Sequence, residues 1–143
     1  MLSLSCKIAI KAVVYLASKY DRGEKSGIKE VAASINSSEH TVGKILQQLV
    51  RQNLINSMKG PSGGFYITKE QLIQPVIKIV EAIDGEEVFK ECGLGLSHCS
   101  ALRPCPIHDD YKKVRDLSES LCRNKRLIDL CNPVSEGLAY LVG

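Results

Sequence analysis

The chain has 143 residues, 44% apolar and 24% charged, with a formal net charge of +3. This is the composition of an ordinary soluble globular protein, large enough for one domain or for one small domain with an appended dimerisation element. No apolar run approaches the ~20 residues needed to span a bilayer. The N-terminus has no basic region followed by a long apolar core, so a cytosolic location is expected. Residues 1–70 carry ten Lys/Arg against five Asp/Glu, and residues 71–143 nine against eleven. A basic first half beside an acidic second half fits a protein that turns only its first half to a polyanion, although uneven solvated surface gives the same imbalance.

The apolar positions Leu4, Ile8, Ala12, Tyr15 and Leu16 recur at helical spacing and predict a first helix to Lys19. A second, short helix is expected after Ser26-Gly27, with Ile28, Val31, Ala32 and Ile35 on one face. Asn36-Ser-Ser-Glu39 reads as an N-cap with an acidic residue three positions on. It opens a third helix whose core face is Val42, Ile45, Leu46, Leu49 and Val50. The opposite face holds Glu39, His40, Gly43, Lys44, Gln47, Gln48 and Arg51. Two short strands, Leu54–Met58 and Phe65–Thr68, flank the turn Lys59-Gly-Pro-Ser-Gly-Gly64 and predict a hairpin. Three helices and a hairpin within about seventy residues are the order of a winged helix-turn-helix. The fold class expected is therefore mostly α with a small β-hairpin wing.

Pro75 suits the first turn of a fourth helix with Val76, Ile79, Val80 and Ile83 on one stripe, stopped by Asp84-Gly85. Residues 92–108 lack periodicity and read as a loop. A long helix from about Asp109 to Asn124 carries Tyr111, Val114, Leu117 and Leu121 on one side, spacing that suits pairing with a second copy or packing on its own domain. Leu130 to Gly143 reads as irregular. The domain division expected is residues 1–70 as the DNA-binding unit, and residues 71–143 as a helical region with a cysteine-rich loop (92–108) and a dimerisation helix (about 109–124).

Two constellations carry chemistry. A recognition helix buries one face and lines the other with short polar side chains and cations, its N-terminal part entering the major groove. Ser37, Ser38, His40, Thr41 and Lys44 meet that requirement, and Gly43 would leave the centre of the exposed face open to the DNA backbone. The turn Lys59, Gly60, Ser62 and Gly63 offers one cation on a nearly side-chain-free tip, able to follow a backbone or enter a narrow minor groove. A solvated helix face and an ordinary surface turn are the plain alternatives for each element alone.

The second constellation is Cys92-x6-Cys99-x5-Cys105-x2-His108. Clustered thiols in a reducing compartment favour metal or redox chemistry over a disulfide framework. Intervals of five and six exceed those of zinc-finger ligand pairs and suit an iron–sulfur cluster, which is a wider body. A zinc site, a reversible disulfide switch and free thiols remain the alternatives, and His98 could replace His108. Cys6, Cys122 and Cys131 sit at helical positions and read as small buried apolar residues. The sequence holds no phosphate loop, no nucleophile–base signature and no paired carboxylates in a suitable setting, so an enzyme is not expected.

On these residues the chain resembles the Rrf2 family of bacterial transcription regulators. The resemblance rests on the opening helix Cys6-Lys-Ile-Ala-Ile-Lys-Ala-Val-Val-Tyr-Leu-Ala and the stretch Leu-Val-Arg-Gln-Asn-Leu-Ile that ends at residue 55. It rests further on the wing Lys59-Gly-Pro-Ser-Gly-Gly-Phe-Tyr, the segment Val80-Glu-Ala-Ile-Asp-Gly, and the three cysteines with a histidine. It implies a homodimer joined through the long C-terminal helix, on a pseudo-palindromic double-stranded DNA operator. Ser38 and His40 match the family's base-reading positions, and Lys59 falls where the family usually has a minor-groove arginine. Cys92, Cys99, Cys105 and His108 match the ligand set of the family's cluster-biogenesis regulator, with the first interval one residue longer. The family's nitric-oxide sensor takes an acidic ligand from the first helix, where this chain has Ile8, so the resemblance implies a 2Fe–2S cluster on three Cys and one His. The function expected is a sequence-specific regulator sensing iron–sulfur, redox or nitric oxide status, with neither a membrane nor a small-molecule substrate as partner. The alternatives are the same fold with zinc or a thiol switch, and a cluster or electron carrier that binds no DNA.

Overall fold

The computed structural model describes all 143 residues. The first helix, α1 (Leu4–Ser18), is capped by Ser3, whose side chain accepts the Cys6 N–H. Helix α2 (Ile28–Ser34) and helix α3 (Glu39–Arg51) follow, packed on α1 and on each other. The cap of α3 is Ser38, which accepts the Thr41 N–H, rather than Asn36. Asn36 instead takes a left-handed conformation (φ 51°) in the turn between the two helices, a conformation that asparagine tolerates better than most residues.

Strands β1 (Asn56–Met58) and β2 (Gly64–Tyr66) pair antiparallel with Ser57 opposite Phe65. They are shorter than the apolar runs suggested, because Leu54, Ile55 and Ile67 leave the hairpin to enter the core. Gly64 has φ 143°, and a Cβ there would stand 2.9 Å from the Ser26 carbonyl oxygen, so only glycine lets the wing lie against the Ser26 backbone. Ser26 and Phe65 exchange backbone hydrogen bonds of 3.0 and 2.8 Å at that contact. A one-turn helix, α4 (Lys69–Leu72), is closed by a Thr68–Gln71 capping box. The Gln71 side-chain amide donates to the Asn53 carbonyl and the Asn56 side chain, fixing the root of the wing.

Helix α5 (Ile77–Asp84) ends at Gly85, and a single 3-10 turn over Glu86–Phe89 leads to the cysteine loop. Helix α6 (His108–Asn124) begins one residue earlier than its apolar spacing implied, so His108 is its first residue. The C-terminal stretch is irregular only after Ser135: helix α7 runs over Leu127–Ser135, with an Arg126–Asp129 capping box and Pro133 inside its last turns. It packs on α1 and buries Leu127 and Cys131. Pro133 and the weakly patterned residues after it hide this helix from a periodicity reading.

One cluster of 27 buried residues runs from Cys6 to Cys131. Residues 1–70 and 71–143 therefore share a single core, with α1 at its centre. No helix is long and apolar enough to cross a membrane. Because Leu127 is fully enclosed against α1, Leu127→Ala should lower unfolding free energy by about 2–5 kcal/mol. Urea denaturation followed by circular dichroism checks this; a loss below about 0.5 kcal/mol would show that α7 only decorates the domain.

Candidate functional site

Two regions hold the residues singled out in the sequence. The first is the outer face of α3 with the wing tip. His40, Lys44, Gln47 and Arg51 recur at intervals of four, three and four and form one exposed stripe. Neither Lys44, Arg51 nor Lys59 takes part in an ion pair, so their charge is offered to solvent. Ser38 and Thr41 are exchanged in a local bond (Oγ to Oγ1, 2.8 Å) that begins the helix, and Ser37 is half-buried with its hydroxyl on the Ile35 carbonyl. Gly43 does not lie on this face. It is buried, and a Cβ on it would come 3.3 Å from Ile28 Cδ1, so its missing side chain lets α2 and α3 close together rather than admitting DNA.

The wing tip Lys59, Gly60, Pro61 and Ser62 is exposed, and Gly63 is partly covered. A Gly63–Gly60 backbone bond of 3.0 Å closes the tip, and a Cβ on Gly63 would collide with the Met58 carbonyl. Between wing and helix lies a cavity of about 400 Å³ lined by Gln47, Arg51, Ser57, Lys59 and Phe65, among others. Gln47 and Arg51 were legible as members of the exposed face. Their position across a groove from Lys59 needed the folded hairpin.

The second region is the cysteine loop. Residues 90–107 form neither helix nor strand, and lie between the 3-10 turn and α6. Cys105 and His108 are buried, while Cys92 and Cys99 are half-buried. Cys99 Sγ lies 3.3 Å from His108 Nδ1. The Cys92 thiol is held below its ordinary range by backbone N–H groups of Leu94 and Leu96 that point at its sulfur, with the Cys105 side chain adding to the effect. Of the four donors, Cys99 and His108 stand in direct contact. No three His, Cys, Asp or Glu side chains converge closely enough to clasp a single metal ion. A cavity of about 590 Å³ opens beside Cys92 and Cys99 and is also lined by His98 and Lys90. His98 is exposed, whereas His108 is enclosed with Cys99.

The donor set fits an iron–sulfur cluster in its chemistry: three soft thiols and an imidazole on one loop, with N–H groups already aimed at a sulfur. Donors that share a loop without converging on one point suit a centre wider than a single ion.

The sequence reading overlooked Arg115. Its Nη1 lies 2.7 Å from the Lys90 and Glu91 carbonyl oxygens and 3.3 Å from Cys99 Sγ. Tyr111 belongs here too, not to the outer stripe of α6: its ring lies against Gly93, where a Cβ would stand 2.7 Å away, and the Arg115 guanidinium sits 5.8 Å from its centroid. The signal that could have found them is the spacing 108, 111, 115, one face of a helix whose first residue is a candidate ligand. The remaining stripe, Val114, Leu117 and Leu121, is 52%, 73% and 57% exposed. Cys6, Cys122 and Cys131 are buried away from the loop; burial pushes the Cys6 thiol up to about 12, with Asp84 and Cys122 adding to it.

A family profile described as an iron-dependent transcriptional regulator, Rrf2, matches residues 2–133. A protein of Aquifex aeolicus named as an HTH-type transcriptional regulator is 27% identical over 128 residues, 88% of each chain. Among solved structures, CymR, the global cysteine regulator of B. subtilis, superposes with a TM-score of 0.75 at 18% identity, covering 92% of this chain and 96% of that one. IscR of T. potens gives a TM-score of 0.73 at 18% identity, covering 97% and 91%. These neighbours share the winged-helix fold with its two-stranded hairpin. Such proteins are regulators and not enzymes, and the chain belongs to the Rrf2 family of transcriptional regulators.

Proposed function

We propose that this regulator binds double-stranded DNA as a homodimer and carries a 2Fe–2S cluster in the loop 92–108, held by Cys92, Cys99, Cys105 and His108. The observation that carries the cluster reading is that Cys99 Sγ stands 3.3 Å from His108 Nδ1 on the loop that also holds Cys92 and Cys105, while no three of the donors converge on a single ion. A structural zinc would ask for four donors on one point at about 2.0–2.3 Å, whereas two irons each take two protein ligands. The family's iron-dependent description agrees with it. When bound, the cluster supplies a redox couple and a centre open to oxidants and nitric oxide. The cytosol, where thiols stay reduced, is the compartment this chemistry suits.

On the DNA side, His40 and Lys44 read base edges in the major groove, with Ser37, Ser38 and Thr41 against the backbone at the helix start. Lys59 on the Gly60, Ser62 and Gly63 tip enters the flanking minor groove, and Arg51 holds a phosphate between helix and wing. The exposed Val114, Leu117 and Leu121 stripe supports pairing of α6 with a second copy, since apolar residues at helical spacing gain most by burial against each other. A loop ordered at the base of that helix changes DNA affinity only by favouring one spacing of the two recognition helices over another. A second reading follows from three free thiols on one loop: the same regulator with no cluster, switched by their oxidation.

Protein purified without oxygen should show visible absorption bands with matched iron and sulfide, lost in Cys99→Ser. Colourless protein, with zinc or no metal after anaerobic reconstitution, overturns the cluster and leaves the thiol switch. Binding to an operator should fall steeply with salt. Lys59→Ala should weaken it on all sequences and lower the salt slope by about 1, while His40→Ala should alter site preference. Equal losses on every sequence from both changes would refute those roles. Leu117→Asp should give a monomer by sedimentation with unchanged helical content, and an operator affinity at least ~10-fold weaker; a dimer of unchanged stability would move the interface elsewhere.

A further inference from the structure

Arg115 is the polar group in the molecule whose setting is least explained by folding alone. It is 8% exposed, no carboxylate lies within ion-pairing distance of it, and its Nε has no hydrogen-bond partner. A guanidinium cannot shed its proton inside a protein, so burying one is costly unless a negative charge answers it. What faces this one is two carbonyl oxygens, the Tyr111 ring and Cys99 Sγ. Of these only the sulfur belongs to a group that carries a formal negative charge when it ligates metal.

We propose that Arg115 is the counter-cation of the cysteine-loop centre, answering the negative charge held through Cys99 and thereby raising the reduction potential of that centre. This rests on the cluster reading above. The approach of the guanidinium is fixed from both sides. Tyr111 fills the space beside Gly93 that a side chain would take, and the carbonyls of Lys90 and Glu91, just before that glycine, hold Nη1. A fixed cation with an N–H on a ligand sulfur stabilises the reduced, more negative state more than the oxidised one. Arg115 is in this sense a positioning and tuning residue, not a ligand. A purely structural role, tying the loop to α6 through two carbonyls, would leave the potential unmoved.

The test uses the full chain prepared without oxygen as wild type, Arg115→Met and Arg115→Lys, with iron, sulfide, melting temperature and a redox titration measured on each. Arg115→Met should load iron and sulfide in the wild-type ratio. Its one-electron equilibrium should shift at least tenfold toward the oxidised form, about 59 mV. Arg115→Lys keeps the charge and should recover at least half of that shift, although both variants melt lower through loss of the fork. A loaded Met variant with an unmoved potential overturns the inference, as does a Lys variant displaced as far as Met. Should the Met variant fail to fold or load, Arg115→Gln, neutral but still able to donate to the two carbonyls, takes its place: a shift of at least tenfold toward the oxidised form supports the inference, and a smaller one overturns it. Wild-type protein that takes up no iron and sulfide defeats the cluster reading and this inference together, whereas the other failures leave the cluster reading standing.

Discussion

Helix α1 is enclosed on almost every side, and the rest of the molecule is arranged by that enclosure. Cys6, Ala9, Ala12 and Val13 are fully inaccessible, and the small residues among them let α2, α3, α5 and α7 pack close to its axis. A helix buried all round cannot be amphipathic; it trades a polar face for contact with several neighbours. Helix α3 and the elements around the cysteine loop are therefore packed on one shared core. The N-terminus of α1 is also tied down, since the Asp84 carboxylate at the end of α5 accepts both the Ser3 backbone N–H and the Ser3 hydroxyl. That clasp fixes the point at which the chain leaves the core for the loop.

From there a continuous series of contacts links the loop to the DNA-reading helix. Arg115 holds the loop's first carbonyls, at Lys90 and Glu91, one residue after the 3-10 turn that begins where α5 ends. The Ala82 carbonyl in α5 accepts a 2.8 Å bond from the Gln48 amide, on the half-buried flank of α3 beside its exposed stripe. Packed cores respond to a local change by switching between discrete arrangements rather than by bending smoothly, so such a series can transmit a change in the loop. Contiguity is only the geometric condition. The energetic one, in the function proposed above, is that loop occupancy favours one arrangement of two copies; α6 carries both a candidate ligand at its first residue and the exposed apolar stripe two turns further on.

What the sequence disclosed follows from which interactions are local. Helices α1, α2, α3 and α6 and the wing declared themselves through period, capping and a Gly-Pro turn, all set within a few residues. Gly43 misled because a glycine on a polar face looks like an opening, and only the approach of Ile28 from another helix shows that the space is filled. Helix α7 was missed because its pattern is short and broken by Pro133, and its stability comes from docking on α1. Tyr111 fitted the outer stripe by spacing alone; at 111 the helix has just left the loop, and the ring turns back onto Gly93. The ligand candidates themselves were legible as a cluster of types, yet the contact of Cys99 with His108, and the cation beside them, depended on how an aperiodic loop folds.

The six cysteines show how environment divides one chemistry into two uses. Burial, ahead of the nearby Asp84 carboxylate, pushes the Cys6 thiol up to about 12, and burial with Glu119 raises Cys122. A thiol that rarely ionises neither attacks a disulfide nor binds metal, so these side chains serve as small apolar packing units. In the loop the opposite conditions hold. Cys92 is lowered by backbone N–H groups, and Cys99 has a guanidinium N–H on its sulfur. The loop is the one place where sulfur is both reachable and electrostatically supported, and it sits on the acidic half of the chain. A negatively charged centre placed there stays clear of the basic half, whose cations on α3 and the wing stand exposed and unpaired.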